Sequence, residues 1–136
     1  INTMSKSPWG PAQRSPYVES VTKVLRSLHT SGANIQASAL VSSDGLIIAS
    51  VLTDAVDADR FGAMCASLLA LASRTVVEIQ RGALRQIILD GERGPVLLTR
   101  VGPHKVLAVA ANPQTNLGMV IISTRRTALS LSELSE

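Results

Sequence analysis

The segment from residue 58 to residue 81 constrains this chain more than any other. It reads as one continuous helix, opened by Asp57 as a cap for the free N–H groups of its first turn and closed at Gly82. At 100° per residue its side chains fall into three arcs. Phe61, Met64, Cys65, Leu68, Ala72, Val76 and Ile79 form a broad apolar arc, expected to face a sheet. Beside it run Gly62, Ala66, Leu69, Ala70, Ser73 and Val77, mostly small. Arg60, Ser67, Arg74, Glu78 and Arg81 make the polar remainder. A helix lying on one sheet needs a single apolar face. An extra face of small residues lets two helix axes approach closely, and a symmetry-related copy of the same helix is the natural occupant. The other occupant would be a second helix of this chain.

The rest of the chain supplies that sheet. Tyr17, Val18, Val21, Val24, Leu25 and Leu28 recur at helical spacing, and Ser31-Gly32 ends that helix near His29. Residues 37–43 and 46–52 flank Asp44-Gly45, a two-residue hairpin signal in which both positions can take positive φ. After the long helix come three apolar runs, 84–89, 95–101 and 105–111, punctuated by residues 90–94, Gly102-Pro103 and Asn112-Pro113. Their hairpin spacing predicts an antiparallel meander. Asn116 caps a last helix carrying Leu117, Val120, Ile121, Thr124, Ala128 and Leu131 on one face, widened by Met119 and Ile122.

The order is therefore α-β-β-α-β-β-β-α. Five antiparallel strands with helices on both faces make a three-layer α/β sandwich. The first and last helices are needed on the sheet face opposite the long one, so a second copy is preferred over the small-residue arc. If the strand after the long helix lies at a sheet edge, Leu84 and Gln86 would join the interface by pairing with their symmetry mates. Gly62→Leu or Ala66→Arg is then expected to break a dimer. The polar arc of Arg60, Ser67, Arg74, Glu78 and Arg81 is the candidate surface for a further partner.

Residues 1–16 hold three of the prolines and read as a leader, with the domain spanning 17–134. Met4 looks like a natural start, and Trp9 could dock on the domain or on a partner. No signal-peptide pattern is present, and no apolar run looks long enough to cross a bilayer, so membrane insertion is not expected. One cysteine, Cys65, allows no intrachain disulfide, which suits the reducing cytoplasm. Aromatic residues are 2% of the chain and the +3 net charge forms no basic stripe, which argues against nucleic-acid binding.

Chemistry is sparse. His29 and His104 have no metal-ligand spacing with Cys65, and no phosphate loop or nucleophile elbow occurs. The charged turn at residues 90–94 joins two strands and has no helix N-terminus behind it to hold phosphate. No catalytic residue, metal or cofactor is expected.

The element order, with VSSDGLIIAS at residues 41–50 and AANPQTNLGMV at residues 110–120, resembles the Roadblock / dynein light chain 7 family. The resemblance covers about residues 17–134. It implies a Roadblock/profilin-like sandwich and a homodimer with paired long helices and a continued sheet. It also implies binding to a Ras-like small GTPase as regulator or scaffold, in some cases beside a sensor-kinase-like protein. Acceleration of GTP hydrolysis would come from ordering the GTPase's own loops. An arginine finger would have to be Arg60, Arg74 or Arg93. The rival readings are a scaffold for a kinase or motor-type complex without GTPase contact, and a small-ligand sensor.

Overall fold

A computed structural model describes residues 15–136. The expected leader, with Met4 and Trp9, lies outside the described residues up to residue 14. Eight elements follow in the expected order: α1 (Pro16–His29), β1 (Ile35–Ser42), β2 (Ile47–Val51), α2 (Ala58–Glu78), β3 (Gln86–Gly91), β4 (Gly94–Val101), β5 (Lys105–Ala111) and α3 (Leu117–Ser132). The strands form one antiparallel sheet in the order β2-β1-β5-β4-β3. That leaves β2 and β3 as its edges.

Alternation along the strands divides the core between two layers. Leu40, Leu97, Leu107 and Val109 point to one face, where Val21, Leu25 and Leu28 of α1 and Val120, Ala128 and Leu131 of α3 cover them. Ala39, Val41, Leu98, Val106 and Ala108 point to the other face, beneath Cys65 and Leu69 of α2. With one Phe, one Tyr and one Trp in the chain, this interior is almost wholly aliphatic.

Side chains start all three helices. Ser15 Oγ accepts from the Val18 N–H at 3.1 Å, Asp57 Oδ1 from Arg60 at 3.1 Å, and Asn116 Oδ1 from Met119 at 3.2 Å. Asp57 and Asn116 are the expected caps. Ser15 and Pro16 are not leader: Pro16 opens α1, because the first turn needs no N–H from it and its fixed φ is already helical.

Two turns differ from expectation. The first hairpin is not closed by Asp44-Gly45 alone. Gly45 N–H bonds to the Ser42 carbonyl at 2.9 Å, and Ser42 N–H bonds to the Leu46 carbonyl at 2.8 Å. Gly45 alone takes positive φ (+91°), so a tight turn is followed by a left-handed glycine, a three-residue loop. The long helix stops at Glu78 rather than residue 81. Arg81 N–H reaches back to the Val76 carbonyl at 2.7 Å and Gln80 N–H to that of Val77 at 2.9 Å, a Schellman closure with Gln80 at φ +61°. Glycine was expected in that role, at position 82. Gln80→Gly should therefore raise the unfolding free energy by about 1 kcal/mol, since a side chain is costly in the left-handed region; urea unfolding checks it.

His29 closes α1 but is no free cation at a helix end. Its Nε2 lies 2.9 Å from Ser38 Oγ, a hydroxyl buried in β1. Burial, and secondarily the positive charge of Arg26, lowers its pKa below the ordinary 6.5. The unfolded chain therefore binds the proton more readily. Stability from this group is complete above pH 6.5 and is lost as pH falls toward the lowered folded value. The urea midpoint should drop between pH 7.5 and 5, and His29→Gln should flatten that dependence.

Candidate functional site: the outer face of α2 and the β3 edge

The close approach of α2 to the first hairpin decides which of its faces stays free. A Cβ added at Gly62 would sit 2.5 Å from the Gly45 carbonyl oxygen and 3.2 Å from Ile47. The smallest residue of the helix is thus the point where it touches the sheet's own turn. Cys65 (1% exposed) and Leu69 (5% exposed) follow on the same side, with Phe61, Ala72 and Val76 packed beside them.

This rotation corrects the expected interface. Gly62 and Leu69 are inside the protomer and cannot meet a partner. Leu84 is also buried, in the core beneath α2, because β3 begins only at Gln86. Gln86 is half-buried and its amide nitrogen donates to Thr99 Oγ1 at 2.7 Å. Ala66 and Ser73 are half-buried, while Ala70 and Val77 are exposed. Met64, Leu68 and Ile79, expected to face the sheet, do not: Met64 is 51% exposed, Leu68 37% and Ile79 59%.

A free apolar surface also lies on the flank opposite the one expected. Met64, Leu68 and Leu71, at spacings of four and three, form an outward stripe. With Ala63, Ser67 and Arg60 they line a shallow cleft of about 470 Å³. The expected polar partner surface borders it: Arg60, Ser67, Arg74, Glu78 and Arg81 are all exposed. By length and mean hydropathy (1.3) α2 even passes as a membrane span, contrary to expectation. Its position on the sheet, with Cys65 and Leu69 buried, gives it a different place. Yet only 17% of its most apolar window is covered within the protomer.

The edge strand adds to this face. β3 pairs with β4 on one side only. Ile87 and Val96 pack at the margin of the α2-side core, and Leu89, opposite Val96, is 38% exposed. An edge strand leaves N–H and C=O groups unpaired on its outer side.

Reactive groups do not gather here. Burial pushes the Cys65 thiol up to about 11, which leaves it a protonated, inert core group. Among the described residues no three His, Cys, Asp or Glu side chains come together in a way that could hold a metal ion.

Known proteins share this fold. Residues 22–111 match the Roadblock/LC7 domain. Two uncharacterised proteins of Methanocaldococcus jannaschii are 37% identical over 108 residues, 79% of this chain and 93% of each relative. The solved structure of Myxococcus xanthus MglB superposes with a TM-score of 0.82 at 21% identity, covering 89% of this chain and 91% of that one. A structure of MglB in a tetrameric arrangement gives 0.77 at 18% identity, covering 88% and 90%. The family match, the relatives' identity over most of the chain and the shared sandwich agree: this chain belongs to the Roadblock/LC7 domain family.

Proposed function

We propose that this chain is a non-catalytic, homodimeric regulator or scaffold of a Ras-like small GTPase, working in the cytoplasm. The observations that carry the dimer are the Met64-Leu68-Leu71 stripe, apolar and uncovered, and the unpaired β3 edge. Packing α2 against its symmetry mate would bury the stripe, and pairing of β3 with its mate would satisfy the open edge. MglB, the structural neighbour seen in a tetrameric arrangement, supports assembly beyond one chain.

The GTPase rests on membership of the Roadblock/LC7 domain family. Such a partner would meet the polar flank of Arg60, Ser67, Arg74, Glu78 and Arg81, all solvent-facing. Regulation would act by holding the GTPase's loops in one state. GTP turnover by a candidate GTPase, measured with and without this protein, tests the reading. Altered turnover, or co-elution in one nucleotide state, supports it. Unchanged turnover with no co-elution in either state refutes it and leaves a scaffold for a sensor-kinase-like or motor-type assembly.

A further inference from the structure

A small concavity lies between the β4–β5 turn and the end of α3, on the sheet face away from α2. Val101, His104, Lys105, Leu131, Leu134 and Glu136 line it, and its volume is about 230 Å³. Val101 and Leu131 are buried, so its floor is aliphatic. Sites that enclose a free ligand run to roughly 300–1,000 Å³, and this one is nearer the scale of a single large side chain.

The chain enters the described fold beside this concavity. Ser15 caps α1, and the Tyr17 ring two residues on lies 5.3 Å from Nζ of Lys105, which pairs with Glu136. Residues 1–14 therefore end at its rim. They hold Trp9, the only tryptophan of the chain, six residues before Ser15. Six residues span at most about 20 Å, enough to bring an indole back onto the concavity. The α2 stripe, the other free apolar surface, is on the far face of the sheet. An indole offers roughly 150–250 Å² to burial, and an aliphatic floor suits it. Pro8 and Pro11 flank Trp9, and their fixed φ lowers the entropy lost on ordering that stretch. Charge agrees as well. Residues 1–14 carry Lys6 and Arg14 and no Asp or Glu, while Glu133 and Glu136 at the end of α3 are exposed.

We propose that the chain's own residues 1–14 occupy this concavity, with the Trp9 indole seated against Val101, Leu131 and Leu134. Lys6 and Arg14 then lie along the acidic end of α3. The contact ties the start of α1 to the end of α3. The inference depends on neither the dimer nor the GTPase reading.

The test uses the full chain, whose fluorescence reports on Trp9 alone. Its emission should lie to the blue of N-acetyltryptophanamide, and acrylamide should quench it with a constant at least threefold lower. Both differences should vanish in urea. In the folded chain the indole protons should give NMR cross-peaks to the methyl groups of Leu131 and Leu134. Ser132→Arg places a long cation in the concavity from an exposed position, and should return the emission to that of free indole without changing the circular dichroism spectrum. Leu68→Arg with Leu71→Arg, on the opposite face of the sheet, should leave it unchanged. Emission and quenching like those of N-acetyltryptophanamide in the unsubstituted chain overturn the proposal. So do a buried indole whose cross-peaks go to residues outside the concavity and one released by the α2 pair instead of by Ser132→Arg.

Discussion

Gly62→Leu is expected to leave little folded protein rather than a folded monomer. A Cβ at this position lies 2.5 Å from the Gly45 carbonyl oxygen, well inside any real contact, and that oxygen belongs to backbone. The obstacle cannot rotate away like the end of a side chain. Gly45 cannot retreat freely either: its φ of +91° closes the hairpin, and the Cβ test at Gly45 itself meets Ala63 Cα at 3.2 Å. Glycine and hairpin are therefore packed reciprocally. Alanine alone gains about 1 kcal/mol in helix propensity, yet the overlap should still make Gly62→Ala destabilising, by roughly 1–3 kcal/mol as for other overpacked sites. Leucine carries three more carbons into the same gap and exceeds that. Circular dichroism and urea unfolding check both variants. A folded, fully helical Gly62→Leu monomer would return Gly62 to the dimer interface and overturn the helix orientation described above.

That position shows where the sequence was legible and where it was not. Element order, two of the three caps and the two-layer division of the core follow from period, turn chemistry and apolar alternation, all local. The orientation of α2 does not. Small residues permit close approach of a helix to anything, and Gly62 uses that freedom against the hairpin carrying Gly45 rather than against another helix. With the arc of contact displaced toward Gly62 and Leu69, Met64, Leu68 and Ile79 pass from the sheet side to solvent. Periodicity alone fixes how wide an apolar surface is, not which part of it the chain covers itself. The end of α2 fails for a similar reason. Gln80 takes a left-handed φ of +61° that composition assigns to glycine, so the helix ends before Gly82 and β3 starts at Gln86, after Leu84 has turned into the core.

The double substitution Leu68→Arg with Leu71→Arg is expected to convert a dimer into a folded monomer. Leu68 is 37% exposed and Leu71 63% in the isolated protomer, so neither supports the core strongly, and arginine is a good helix former. The protomer should keep its circular dichroism spectrum and most of its unfolding free energy. At a two-fold interface every change occurs twice. Losing the burial of one leucine costs about 1.5–3 kcal/mol. Two leucines in each of two chains, even half-buried by the partner, make a loss of roughly 3–6 kcal/mol, or about 10²–10⁴-fold in the dissociation constant. Like charges brought face to face add to this. Light scattering across micromolar concentrations reads the outcome directly. Ala70→Arg with Val77→Arg, on the flank of small residues, should leave the dimer intact, because that side lies away from the stripe. A monomer from the second pair and a dimer from the first would place the interface on the small-residue arc. A monomer at all concentrations for the unsubstituted chain would instead assign the α2 stripe and the β3 edge to a different protein, and the GTPase of the proposed complex would then be the first to test.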